Sequence, residues 1–183
     1  GQLLLALGGA VLCVVFLAVH RIDPTWHNTV MGLGAVAWTA GAIVWLIDGE
    51  VARAMPFLAA FLVLTIVGER LELSRMRRPA PLARAMLLLA IALFACGVAT
   101  TLPDAGLGIR LAGAGLLAQA AWLAHYDVAR RTIHMTGVTR YMAVALLAAY
   151  WWLAVAGALW LSAGGLPAAG STGSFGLAIL GAD

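Results

Sequence analysis

The residues best equipped for chemistry are four histidines: His20, His27, His125 and His134. Imidazole is the usual side-chain ligand of haem iron and of copper. Two histidines on different helices at one membrane depth suffice for an axial pair or a copper site. His20, His27 and His125 meet that depth condition, and His134 falls in the loop beyond it. The competing reading is plain solvation, because a histidine at a lipid–water interface is satisfied by headgroups and water. A second cluster, Glu69-Arg70-Leu71-Glu72, closes an otherwise apolar run. Glu69 and Glu72 share a helix face at i, i+3. Charges at bilayer depth are expensive and tend to face partners or water. The cluster therefore reads as a carboxylate paired with an arginine or histidine, or as an interfacial ion pair where a helix leaves the membrane.

Gln119 is the one amide deep in an apolar run, and it is expected to hydrogen-bond across helices. Trp38, Tyr150, Trp151 and Trp152 fall at mid-membrane depth, where aromatics pack, touch lipid or line a large flat cofactor such as a quinone or pigment. The segment Asp127–Arg140 gathers Arg130, Arg131, His134 and Arg140, a pattern suited to anionic headgroups. A helix running on from the preceding span would put these on neighbouring turns and end near Gly137. There is no nucleophile elbow, Walker loop, His-Glu-x-x-His or Cys-x-x-Cys. Catalysis by a familiar soluble-enzyme scheme is not indicated. Cys13 and Cys96 sit alone in apolar runs and behave as small hydrophobes.

These residues are carried by apolar helices. The 183 residues are 63% hydrophobic and 10% charged, with mean hydropathy +0.98. A soluble core of this size cannot hide that much apolar surface. A bilayer needs about 20 apolar residues per helical crossing. The pattern predicts an all-α, polytopic transmembrane helix bundle of six spans: 2–19, 24–47, 54–73, 82–102, 108–126 and 141–162. Asp23-Pro24 reads as N-cap and N1 of the second span. Gly49 suits the end of that span, and Pro103–Gly106 reads as a turn. Residues 163–183 form a Gly/Ala/Ser-rich tail whose last apolar run, Phe175–Leu180, is too short to cross. The chain opens at Gly1 inside an apolar run without an initiator Met, as expected of a processed, trimmed or partial chain. Residues 2–19 lack a basic n-region and are read as a retained span rather than a signal peptide.

All eleven basic residues are arginine. Six alternating spans put nine on one side: Arg21, Arg70, Arg75, Arg77, Arg78, Arg84, Arg130, Arg131 and Arg140. Only Arg53 and Arg110 fall on the other. The positive-inside rule makes the rich side cytoplasmic and both termini external. Trp26, Trp122, Tyr126 and Tyr141 then belong to an inner aromatic belt, Trp45 and Trp160 to an outer one. Gly34, Ala37 and Gly41 share one face of the second span, and Gly108, Ala112 and Gly115 one face of the fifth, as for close helix contacts. No basic stripe interleaved with aromatics points to nucleic acid.

Around the second span the chain reads Trp26-His27-Asn28-Thr29-Val30-Met31-Gly32-Leu33-Gly34. This resembles the W-H-x-H-E-M-x-x-G motif of the NnrS-like family, bacterial multi-span membrane proteins associated with haem, copper and nitric-oxide metabolism. Trp26, His27, Met31 and Gly34 match, whereas Thr29 and Val30 stand where the motif has His and Glu. The resemblance covers about nine residues, and members of that family have about twice as many spans. It implies an inner-membrane protein that binds haem or copper through His27 with His20 or His125, in a respiratory or nitric-oxide-related role. The alternatives are a non-catalytic accessory or assembly subunit of a larger respiratory or photosynthetic membrane complex, and, last, part of a transporter. Membrane lipids are the expected partners in every case, with other membrane subunits in the second.

Overall fold

A computed structural model describes residues 1–74 and 80–164. The Arg75, Arg77 and Arg78 loop and the tail beyond residue 164, with its Phe175–Leu180 run, lie outside the described residues. The architecture is a six-span helix bundle: α1 (Gln2–Ile22), α2 (Trp26–Asp48), α3 (Val51–Ser74), α4 (Pro81–Thr100), α5 (Ala105–Tyr126) and α7 (Val138–Ala163), with one helical turn, α6 (Ala129–Thr132), before the last. Each of the six is long and apolar enough to cross a membrane.

The ends of the helices correct several expected boundaries. α1 runs on to Ile22, and the Asp23 amide closes its last turn on the Val19 carbonyl. Asp23 is thus the end of α1 and not the cap of α2. Thr25 takes the N-cap position of α2, with Pro24 in the connection. Gly49 adopts the left-handed conformation (φ 73°) that terminates α2, a geometry favouring glycine. α5 begins at Ala105, three residues before the expected start. The reason is Asp104, whose side chain accepts the Leu107 N–H at 3.0 Å and satisfies a first-turn donor. At its other end α5 stops at Tyr126. Asp127 turns extended, so no long helix continues through Arg130, Arg131 and His134.

Packing follows chain order in two sets. α1 lies on α2 and α2 on α3; α4 lies on α5 and α5 on α7. The sets meet where α3 touches α4 and α5. The buried centre is built from Leu64, Val67, Leu87, Phe94, Leu116 and Leu123. Small residues set the closest approaches. A methyl group added at Gly115 would meet the Phe94 backbone on α4, and one at Gly113 would meet the Gly157 carbonyl on α7. The Gly108–Ala112–Gly115 face anticipated from sequence is therefore the face that docks on α4. Gly34 and Gly41 likewise sit against the backbone or side chains of α3.

Candidate functional site

The histidines sit at one end of the bundle but do not converge. His27 is buried (7% exposed) in the first turn of α2, with Nε2 3.2 Å from the Thr25 hydroxyl. His20 is half-buried at the end of α1, with Nδ1 3.5 Å from the Thr29 hydroxyl. It lines a groove of about 220 Å³ between α1 and α2 with Cys13, Phe16, Asn28 and Thr29. His125 is exposed on α5, where Arg130 Nη1 donates to its Nδ1 at 3.2 Å and its ring meets Tyr126 edge-on. α2 and α5 do not touch, so His27 and His125 are not brought to a common point. Among the described residues no three His, Cys, Asp or Glu side chains gather as a metal cluster. Of the two pairs implied by the NnrS-like resemblance, His27 with His125 falls on helices that make no contact. The pair left on neighbouring helices is His20 with His27.

The polar groups that do converge are others. Tyr150, in the middle of α7, donates its hydroxyl proton to Asp127 Oδ2 at 2.6 Å. Both residues are buried, Asp127 to 2% and Tyr150 to 4% exposure. Side chains of a helix lean toward its N-terminus. That lean carries the Tyr150 hydroxyl from mid-helix to the residue just past the end of α5. The bond explains why α5 ends where it does: Asp127 leaves the helix to meet a tyrosine that has no other way to satisfy its hydroxyl in an apolar setting. Asp127 Oδ1 keeps no hydrogen-bond partner among the described residues.

Beside this pair, α3, α5 and α7 line a half-open cavity of about 250 Å³. Val67, Leu123, Leu146 and Leu153 make apolar walls, and Glu69, Arg70 and Tyr150 form its polar end. Arg70 is half-buried, and its Nε is fully enclosed without a hydrogen-bond partner among the described residues. Glu69 and Glu72 are exposed. Of the charged triplet, then, Arg70 and Glu69 reach the cavity. Enclosed donors are almost always paired in folded proteins, so this Nε–H, shut off from the cavity, is an unsatisfied group among the described residues.

A family model described as a domain of unknown function (DUF8744) matches residues 1–174. The chain belongs to that family. No curated protein and no solved structure matches the chain. Arg70, Asp127 and Tyr150 all lie within the stretch that this DUF8744 domain covers.

Gln119 does what its position predicted: fully buried, it donates Nε2–H to the Ala90 carbonyl across the α4–α5 contact, at a long 3.5 Å, while Oε1 has no partner. Trp122 departs from the expected belt. It is buried, and its indole N–H donates to the Ala83 carbonyl at 2.7 Å. Of the mid-depth aromatics, Trp38 donates to the Leu5 carbonyl at 3.3 Å and meets Phe61 edge-on, while Trp151 and Trp152 face outward. Asp127 is the residue that sequence reasoning passed over. It reads as the first residue of a loop. The available signal was Tyr150, whose hydroxyl at mid-span demands a partner.

Proposed function

We propose that the protein is a membrane-embedded binding protein, and not an enzyme, which holds an amphipathic molecule drawn from the bilayer in the cavity between α3, α5 and α7. One observation carries this reading: Arg70, half-buried and in no ion pair among the described residues, lines the polar end of a half-open cavity with apolar walls. In hydrocarbon an unsatisfied backbone or side-chain donor costs several kcal/mol, on the order of the full hydrogen bond it lacks. A ligand oxygen that meets the Arg70 guanidinium from the cavity offsets part of the cost of a charge at membrane depth, and an apolar tail suits the remaining walls. The setting we propose is a bacterial inner membrane with the arginine-rich end toward the cytoplasm and both termini outside, supported by the nine-to-two arginine asymmetry.

A photoreactive amino acid at Ile66, which lines the cavity and is partly exposed, tests the reading in native membranes. The expected result is a crosslinked small molecule absent from the same probe at Ile43, on the outward face of α2. Identical bulk-phospholipid adducts at both positions would overturn it.

A second reading is ligation of haem or copper by His27 with His20, supported by two imidazoles on the adjacent helices α1 and α2. It requires a Soret band or bound copper in purified protein, lost in His27→Ala. Colourless, copper-free protein ends it.

A further inference from the structure

We propose that the corner where α5 gives way to α6 and α7 is a docking site for an anionic phospholipid, with Arg130, Arg131 and Arg140 supplying the positive field for its phosphate and exposed apolar side chains beside them receiving the top of its acyl chains. The site is separate from the α3–α5–α7 cavity and stands or falls apart from it.

The first observation is charge that nothing in the chain neutralises. Arg130, Arg131 and Arg140 are all exposed. Asp127, the one acidic residue between Tyr126 and Ala163, is buried and bonded to Tyr150. The first turn of α7 holds no acidic residue, and its N-cap, Gly137, offers no side chain. Among the described residues the one ion pair is Arg53 with Asp48, at the opposite end of the bundle. Arg130 gives one N–H to His125 Nδ1 at 3.2 Å. A guanidinium has five such donors, so the bond ties Arg130 to the end of α5 and leaves the rest for an acceptor from outside.

The second observation is that the cations sit on a fixed turn rather than a loose loop. Ala129 is buried, and α6 packs on α7, the helix that bears Arg140. The Thr132 hydroxyl donates back to the Ala129 carbonyl at 3.3 Å. The bond from Tyr150 holds Asp127 at the entrance to the turn.

The third observation decides between a lipid and a soluble anion. Met135, Val138, Tyr141 and Met142 are exposed on the same stretch. A phosphate, nucleotide or nucleic acid in water has no use for such a surface. A phospholipid brings a phosphate for the arginines and hydrocarbon for these side chains. Basic residues beside a membrane surface attract anionic headgroups, and tyrosine is at home at that level.

The test is native mass spectrometry of the full chain in neutral detergent, with dioleoylphosphatidylglycerol and dioleoylphosphatidylcholine offered in equal amounts. The expected result is preferential retention of the anionic lipid. The preference should fall about fivefold in each of Arg130→Gln, Arg131→Gln and Arg140→Gln and vanish in the triple variant. Arg53→Gln, already paired elsewhere, should leave it unchanged. Equal retention of the two lipids, or a preference that the triple variant keeps, overturns the proposal and leaves these arginines as an orienting signal alone. Displacement of phosphatidylglycerol by inorganic phosphate assigns the corner to a soluble anion and overturns the lipid. The three side chains are exposed, so the variants should melt as wild type does; should the triple variant not, the single ones, each read against Arg53→Gln, decide the question.

Discussion

α1 and α5 are alike in length and cross the same bundle, yet they stand at opposite extremes. α1 is the most apolar of the six spans and buries only Gly9. α5 is the least apolar and buries most of one face and part of another, from Gly108 to Leu123. A soluble protein would show the reverse order. Lipid tails are as apolar as leucine, so apolarity gives a helix no reason to leave them for protein. What draws α5 inward is smallness and polarity: glycines that let α4 and α7 approach to backbone contact, and Gln119, whose amide finds the Ala90 carbonyl. α1 carries large aliphatic side chains outward, Leu3, Leu4, Leu7 and Val11 among them, and among the described helices packs only on α2.

The largest expected effect breaks this contrast at α5. In Gly115→Leu the new side chain enters the Phe94 backbone, which has nowhere to go. Overpacking of this kind costs about 3 kcal/mol or more, and thermal melting in detergent should show loss of the cooperative transition. A melt like wild type would mean that the α4–α5 contact is not close. A middle effect sharpens the contrast at the polar corner. Tyr150→Phe leaves the Asp127 carboxylate buried with neither oxygen bonded. The expected loss is about 1–3 kcal/mol, and it should shrink in an Asp127→Asn background, so a double-mutant cycle in chemical denaturation measures the coupling. Additive single effects would refute the bond. The smallest effect lies in α1. Gly8 has open space around its Cβ position, so Gly8→Leu should move stability by about 0.5 kcal/mol or less, read by the same melt. A drop comparable to that of Gly115→Leu would show α1 packed against protein after all.

Much of this was legible in the chain. Long apolar runs predict six spans because hydrocarbon thickness sets helix length, and the Gly108–Ala112–Gly115 face predicts a close contact because only small side chains permit one. Gln119 was legible for the same reason: a lone amide in hydrocarbon must find a partner. The Asp127–Tyr150 bond was not. The two residues are 23 apart in sequence and meet only through the register of α5 on α7, which no local pattern encodes. The end of α1 and the start of α5 were misjudged where a single aspartate decided. Asp23 and Asp104 look equivalent as caps, and only the second offers its side chain to a helix N-terminus. His27 and His125 invited a shared site because depth is readable from sequence, while lateral position in the bilayer, which separates α2 from α5, is not.

The α5–α7 seam has a consequence for the shape of the binding space. Gly106 lies against Gly164, and seven residues further along each helix Gly113 lies against Gly157. A seven-residue repeat is the spacing of two helices inclined by roughly 20°. One more step brings Ala120 level with Tyr150, and there the run of tiny side chains ends. Tyr150 lines the same cavity as Arg70, so the hollow opens at the step of the repeat where a bulky ring takes the place of a third glycine.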